Sequence, residues 1–522
     1  MMEKQNNTTL LADVLVSLLL VWIIFLGYRN DGFGSLFFRS AIVMVGSYFL
    51  SRLMIEWLEG KIALLCLWLL ILLTCIETVI GYYQLFFLHK QTAGSFGISV
   101  LLACFLSVGI CLSLACYLFT NHDLRIRKVA LYVGIFGCTI IPATGSRSAI
   151  LAICIVSFLF LLNTERGRSF IKKRWIVISV LFMIGCISLY VIKRPSADGR
   201  MLMNKINVQR IIKGGLTGTG MNGYAGSYAS AQADYFERQM KNSDNDIDWH
   251  KLNESERKVA DCPSAAFNEF LQIGVQTGPI SMLLFLIFLL IAVIYSYKKN
   301  SIWCFGLIPL VVFSLFSYPL HYVEFQILFS VITALCITSQ RNKYSMAFCL
   351  PSLICTLIVG VNYLANSMKN NSFDAEWRNV YSLYENEYYE MVVDCIEHNG
   401  MPATNSKQFF IYGRSLNMSG QYFKSDSVLM AGINISGDPM FWNVMGNNSI
   451  ELGNYREAEK RYKHAFYMVP NRLYPLYLLA KLYYVEGDSV RFYNMSETVE
   501  SFIPKVESAS TELLRLEIRE MK

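Results

Sequence analysis

Residues 129–162 read VALYVGIFGCTIIPATGSRSAILAICIVSFLFLL, two apolar runs joined by the polar turn Thr144–Ser148. Continuous apolar runs of this kind predict helices that enter a membrane. The turn carries Arg147, whose guanidinium would be strongly destabilised if it faced lipid. An arginine in this position therefore indicates either a functional cavity or a side chain that extends to water at the membrane boundary.

The same apolar character continues on both sides of this stretch. The chain has 522 residues, 54% hydrophobic and 16% charged, with a mean hydropathy of +0.38, whereas globular chains average about 25% charged residues. Because a span needs about 20 apolar residues, we predict a polytopic membrane protein. Eleven apolar runs are candidate spans: 10–28, 35–53, 62–82, 96–119, 128–143, 148–163, 175–192, 273–296, 302–319, 323–339 and 346–365.

The short fifth and sixth runs leave the span count open by two, because they would form either two tilted spans or a re-entrant pair. The first run has no small-residue cleavage site, so we expect a retained helix. Lysine and arginine in short loops predict orientation. With the N-terminus inside, 15 such cations lie inside and 4 outside. This bias predicts that the Arg147 turn, the outer loop (residues 193–272) and everything after residue 365 lie on the outer face.

After residue 365 the composition becomes polar and the apolar residues follow a helical period. A repeat of about 34 residues is marked by Asn386, Gly420, Gly453 and Gly487. The period and pattern resemble tetratricopeptide repeats, which are helix–turn–helix units that stack into a solenoid. We therefore expect an all-α fold, with a transmembrane domain over 1–365 and a periplasmic α-solenoid over 366–522.

The outer loop contains the least usual chemistry of the chain. It carries Gly199-Arg200, a glycine-rich run over 215–224, and Asn268-Glu269-Phe-Leu-Gln272 near its end. The glycine-rich run does not follow a strand, so it does not indicate a nucleotide site. No His/Cys cluster predicts a metal site. The net charge of +7 arises mostly from inside loops and the basic outer site, so it is not a nucleic-acid signal.

Five segments, taken in order, resemble the O-antigen ligase superfamily of bacterial membrane glycosyltransferases. The superfamily includes O-antigen ligases, O-antigen polymerases and protein O-oligosaccharyltransferases. The resemblance covers about residues 75–325. The matching segments are Gln84 with Thr92-Ala-Gly-Ser95-Phe96, Thr144-Gly-Ser-Arg147-Ser148, Gly199-Arg200 with 215–224, Asn268-Glu269-Phe-Leu-Gln272, and Tyr318-Pro-Leu-His321-Tyr322.

One position departs from the family pattern. Many members carry a histidine directly before the Asn-Glu pair, where it is thought to activate the acceptor, and this chain has Phe267 there. A general base must reach the acceptor hydroxyl and have a suitable pKa. His321, His250 and Glu269 are the substitutes that the sequence offers, and we expect His321 and Glu269 to be catalytic.

The resemblance implies an undecaprenyl diphosphate-linked glycan as donor, transferred to a hydroxyl of lipid A–core or of a protein without metal or other cofactor. It implies residence in the bacterial inner membrane, with the outer loop and the repeats in the periplasm. Fixed arginines suit the departing diphosphate, because they stay charged and bind phosphate bidentately. We expect Arg147, Arg200 and Arg194 to bind it, with Lys193 as a further helper. Glycan hydroxyls are assigned to Gln84, Ser95, Asn268 and Gln272.

Several alternatives remain open at this point. The acceptor would be another lipid-linked repeat in a polysaccharide polymerase, or Ser or Thr in a protein O-oligosaccharyltransferase. The helical repeats would then bind a protein acceptor or a partner protein. The non-enzymatic alternatives are a transporter of lipid-linked glycans and a membrane scaffold that uses its repeats.

Overall fold

A computed structural model describes residues 2–29, 35–58, 61–120, 124–241, 251–338, 343–371 and 373–522. Helices make up 82% of it, and no β-strand occurs in these ranges. The predicted all-α class is therefore confirmed. The chain forms two compact units, one of Met1–Lys193 with Phe267–Tyr363 and the other of Arg194–Ala266 with Leu364–Lys522.

The first unit is built from apolar helices. Their bounds are α1 Met2–Arg29, α2 Leu36–Trp57, α3 Lys61–Phe86, α4 Ser99–Phe119, α5 Leu124–Thr144, α6 Arg147–Asn163, α7 Glu165–Ile192, and, after the outer loop, α11 Glu269–Lys298, α12 Trp303–Phe316, α13 Val323–Ile337 and α14 Lys343–Asn371. Over the described residues, eight of these helices are long and apolar enough to cross a membrane. The helices α6, α12 and α13 are apolar but shorter. Each of these eleven helices overlaps one of the eleven predicted runs. By length and composition, eight of them could span a membrane.

Two of the long helices are interrupted within the described residues. In α7 the backbone leaves helical geometry at Arg174, where the basic stretch meets the apolar run. In α11 it does so at Gly278, with φ 87°, directly before Pro279. Pro279 has no N–H and so cannot continue the helical hydrogen bonding. Trp22 Nε1 donates to the Thr277 carbonyl beside this break at 3.4 Å.

Arg52, which entered the orientation count as a loop cation, is buried in the structure. Its side chain is 1% exposed, and its Nη2 lies 3.0 Å from Asp13 Oδ2 and 3.6 Å from Glu56. Tyr48 also donates its hydroxyl to Asp13 at 2.7 Å. Because an unpaired charge in an apolar interior is strongly unfavourable, this ion pair ties α1 to α2. An arginine at the predicted end of a span thus serves as an interhelical contact.

The second unit begins with three helices from the outer loop, α8 Arg194–Lys213, α9 Tyr224–Met240 and α10 Glu254–Val259. The sequence boundaries assign this loop to the transmembrane domain, whereas the structure groups residues 194–266 with the repeats. The packing of α9 against the repeat helix Tyr455–Met468 is one reason for this grouping.

The repeats form successive antiparallel helix pairs. Their bounds are α15 Asp374–Glu385, α16 Tyr389–His398, α17 Ser406–Met418, α18 Tyr422–Ile433, α19 Met440–Glu451, α20 Tyr455–Met468, α21 Tyr474–Glu486, α22 Ser489–Ser501 and α23 Ala509–Glu520. Each pair turns through a residue with positive φ, namely Glu387, Gly420, Gly453 and Gly487. Glycine suits this conformation because it lacks a Cβ. In the first pair the left-handed residue is Glu387, one position after the Asn386 that marks the period in the sequence.

Candidate functional site

Gln84, predicted to bind a glycan, fixes the segment Thr92–Gly97 in the structure. Its Nε2 donates to the Gly94 carbonyl, and its Oε1 accepts from the amides of Ala93 and Gly94, each at 2.8 Å. Gly94 and Gly97 have positive φ, so the segment doubles back sharply between α3 and α4. The amide of Gln84 is thus engaged by the backbone of its own segment.

Glu77 is a site residue that the sequence reasoning missed. It lies within α3, is buried, and accepts from the Ser95 amide at 3.0 Å and from the Ser95 hydroxyl. Ser95, also predicted to bind a glycan, is therefore held by this carboxylate. An acidic residue inside the apolar run 62–82 was a signal that could have identified Glu77, because ionisable residues in membrane segments are functional candidates.

The turn Thr144–Ser148 joins α5 to α6 in a tight reversal. Gly145 adopts φ 64°, Ser146 is the N-cap, and Arg147 is the first residue of α6. The Thr92 hydroxyl donates to the Ala143 carbonyl at 2.9 Å, which ties this turn to the segment Thr92–Gly97.

Lys193 approaches the same turn from the end of α7. Its ammonium donates to the Gly145 carbonyl at 3.3 Å, two residues before Arg147. The N-terminus of a helix carries a partial positive charge and presents backbone N–H groups, which together favour anions. Arg147, Lys193 and the start of α6 therefore give this turn the chemistry of a phosphate-binding site.

Glu269 and His321 come together although they are 52 positions apart in the sequence. Glu269 is the first residue of α11, its side chain is 5% exposed, and its Oε1 accepts from the Leu320 amide at 2.8 Å. The same oxygen lies 3.7 Å from His321 Nδ1, and the His321 side chain is 36% exposed. Burial alone would lower the pKa of His321, but the Glu269 carboxylate outweighs it and raises that pKa above its ordinary value.

Phe267, at the position where family members carry histidine, is linked to His321 through one aromatic ring. Its backbone adopts φ 49°, which is unusual for a bulky residue. Its ring packs edge-on against Tyr318 at 4.9 Å, and Tyr318 packs edge-on against His321 at 5.5 Å. The structure thus brings His321 to within one side chain of the position of the missing histidine. His250, the other histidine considered, lies outside the described residues.

Asn268 and Gln272, predicted to bind a glycan, have local hydrogen-bond partners. The Asn268 side chain caps α11 by accepting from the Leu271 amide at 3.1 Å. Gln272 is buried and donates to Gln276 Oε1 at 3.1 Å. These contacts fix the start of α11 next to Glu269, and contact with a glycan stays a prediction for both residues.

The predicted segments of the first unit converge at one end of its helices. Thr92 bonds the Thr144–Ser148 turn, and Glu269 bonds the Tyr318–Tyr322 segment. Between them, the Phe96 ring packs 5.5 Å from Phe325, four residues beyond His321. Contacts therefore link segments scattered over about 240 residues of sequence, and these segments carry Gln84, Ser95, Arg147, Glu269 and His321.

Arg194 and Arg200 belong to α8 in the second unit. Arg194 forms an ion pair with Asp198 at 3.5 Å, and its side chain is 70% exposed. Arg200 is half-buried one and a half turns further along the helix. Among the residues with described positions, no group of three or more His, Cys, Asp or Glu side chains could hold a metal ion.

The chain matches no known protein-family profile and has no significant similarity to a curated protein. The site geometry and the sequence motifs are therefore the grounds for a functional proposal.

Proposed function

We propose that this chain is a membrane glycosyltransferase of the O-antigen ligase type. It transfers a glycan from undecaprenyl diphosphate to the hydroxyl of an acceptor at the periplasmic face of a bacterial inner membrane. The observation that carries the proposal is the convergence of four motif segments on one end of the first unit. These segments carry the Thr144–Ser148 turn, whose nearby cations favour phosphate, and the Glu269–His321 pair.

In the proposed reaction, His321 removes the proton from the acceptor hydroxyl as the oxygen attacks the anomeric carbon of the glycan. The bond between that carbon and the diphosphate oxygen breaks, and the lipid diphosphate leaves with the electron pair. Glu269, close to Nδ1, stabilises the imidazolium that forms. Arg147 and Lys193 stabilise the charge on the leaving diphosphate, because fixed cations act strongly where water is scarce. The binding of diphosphate by Arg194 and Arg200 of the second unit stays a prediction. We assign Gln84, Ser95, Asn268 and Gln272 to placing the glycan.

The breaks in α7 and α11 are features that would favour a transporter, since discontinuous membrane helices often form transport sites. In α11 the carbonyls next to the break lie against protein donors, with Trp22 on the Thr277 carbonyl and the Ser281 hydroxyl 3.2 Å from the Gly278 carbonyl. We therefore retain glycan transfer as the proposal, and treat the transporter and the scaffold as outcomes that the experiment can return.

The test is complementation of a strain that lacks the gene, with glycan products separated on gels. We expect Arg147→Ala and Arg200→Ala to abolish transfer while the protein still accumulates in the membrane, since one donor to a developing anion is worth about 100-fold or more in rate. Arg125→Ala, an exposed arginine in the first turn of α5, is the matched control and should transfer normally. Normal glycan profiles in both site variants would overturn the diphosphate role.

The same gels separate the acceptors. Loss of the lipopolysaccharide ladder with normal glycoproteins would indicate transfer to lipid A–core, or a polymerase where a single repeat remains attached. Loss of glycoprotein staining with a normal ladder would indicate a protein acceptor.

A further inference from the structure

Equivalent positions of three successive repeats meet the outer loop. Gly437, Asn471 and Lys505 are 34 residues apart, and each lies in a connection between one helix pair and the next. We call these connections, residues 434–439, 469–473 and 502–508, the repeat edge. A Cβ added at Gly437 would lie 3.1 Å from the Ala225 carbonyl oxygen, so the two backbones approach closely there. Asn471 Nδ2 donates to the carbonyls of Arg257 at 3.0 Å and Ala260 at 2.7 Å, and Lys505 Nζ lies 2.9 Å from Asp261 Oδ2.

Two buried amides are the strongest of these contacts. Asn471 is 4% exposed and directs both of its donated bonds to the backbone of the outer loop. In return, Gln232 of α9 is 1% exposed and donates to the Met468 carbonyl at the end of α20. A buried polar group that loses its hydrogen-bond partner destabilises the fold. Moving the outer loop away from the repeat edge would break these bonds, so they favour the bound position of the loop.

The backbones themselves approach closely at Gly226 of α9. A Cβ at this position would collide with the Ile433 carbonyl oxygen and lie 2.6 Å from that of Asn434. Neither obstacle is a flexible side chain, so a larger residue at 226 would have to displace α9 from the repeats. Glycine at this position is what allows the approach.

The remaining helix of the outer loop, α8, is bound to α9 and α10, the two helices that contact the repeats. Along α8, Lys205 pairs with Glu256 of α10 at 3.2 Å, and Arg210 donates to Ser227 of α9 at 2.6 Å. The same helix carries Arg194 and Arg200. Its placement within the second unit therefore depends on α9 and α10, and theirs depends on the repeat edge.

We propose that the repeats serve as the support of the outer loop: the repeat edge binds α9 and α10, and so holds α8, which carries Arg194 and Arg200, in place within the second unit. This rests on the proposed function for the role of those arginines, but not for the seating of the loop. On this view the repeat edge is occupied by the chain itself, and an acceptor or partner protein would have to bind elsewhere on the repeats.

The test uses the full-length protein and a valine introduced at two places on α9. Gly226→Val should displace the helix from the repeats, whereas Ser230→Val, one turn away and exposed, is the matched control. Asn471→Asp is a second variant of nearly unchanged shape, which removes both donated bonds and guards against general misfolding. The contact between the outer loop and the repeat edge is measured by the maleimide reactivity of Cys262, whose Sγ lies 3.6 Å from Arg472 Nη2 of the repeat edge. The Cys262→Ser variant gives the background labelling.

We expect Gly226→Val and Asn471→Asp to raise the labelling rate of Cys262 about tenfold in detergent, the factor expected when a buried hydrogen-bonded contact is lost. Both should lower glycan transfer in cells to the level of Arg200→Ala, and Ser230→Val should change neither readout. An unchanged labelling rate of Cys262 would show that the repeat edge does not hold α9 and α10. Faster labelling with normal glycan transfer would show that transfer does not depend on this contact. Failure of the glycosyltransferase proposal would appear separately, as normal transfer in Arg147→Ala.

Discussion

At the scale of single residues, the site combines side chains that hold the backbone with side chains that remain able to act on a substrate. Gln84 and Glu77 belong to the first group, since their polar atoms bond the segment Thr92–Gly97. His321 belongs to the second, since its ring is partly exposed while Glu269 faces only its Nδ1. The residue types were predictable from the motifs, but this division of labour depends on contacts that sequence does not specify.

The Glu269–His321 pair predicts a pH dependence of transfer. Neutral His321 is the proposed base, so the rate should rise as the pH passes upward through its pKa, which Glu269 raises. Glu269→Gln removes that charge, lowers the pKa of His321, and should move the acid limb of the rate profile to lower pH. The profile is measured in isolated membranes with a lipid-linked donor.

Two further variants test whether the shift of the acid limb comes from the Glu269–His321 pair. Glu324→Gln, an exposed carboxylate three residues beyond His321, should leave the acid limb in place. His321→Ala should lower transfer by about 100-fold or more, the usual contribution of a general base. An acid limb that stays in place in Glu269→Gln would contradict the assignment of His321 as the titrating base.

At the scale of elements, the helices follow closely from the sequence because apolar side chains must be continuous through a membrane segment. The run 148–163 corresponds to α6 at Arg147–Asn163, and the run 323–339 to α13 at Val323–Ile337. The packing of α9 against the repeats was not predictable, because the sequence does not show which backbone carbonyls and side chains of the repeats face the outer loop, even though Gly437, Asn471 and Lys505 follow the 34-residue period. The 34-residue period predicted the helix pairs, but not what their edge contacts.

The segment between α3 and α4 predicts a contrast between two glycines. Alanine at Gly94 or Gly97 is strained by positive φ, at a cost of about 1–2 kcal/mol. Only at Gly94 would the new Cβ also collide with the Glu77 carboxylate, whereas at Gly97 it would meet no described atom within 4 Å. Gly94→Ala should therefore lower the thermal midpoint and glycan transfer more than Gly97→Ala. Equal losses would mean that Glu77 does not position this segment.

At the scale of the whole molecule, orientation is predicted by the excess of inside cations. If that prediction holds, protease added to intact spheroplasts should remove the repeats after residue 365, leaving a membrane-bound fragment. Detection by tags at both termini measures this, and a cytoplasmic protein probed on the same blots reports lysis. Complete protection of the repeats, with cleavage after lysis, would place them on the inner side.

The pairing of the outer loop with the repeats also imposes an order on biosynthesis. Residues 267–363 separate the two parts of the second unit. At about 5–20 residues per second, the ribosome needs roughly 5–20 s to cross that interval. During that time α9 has been made, while the carbonyls of Ile433 and Met468 that it will meet have not. In a newly made outer loop, Gln232 and the small residues around Gly226 therefore stay uncovered until the ribosome has synthesised the repeats.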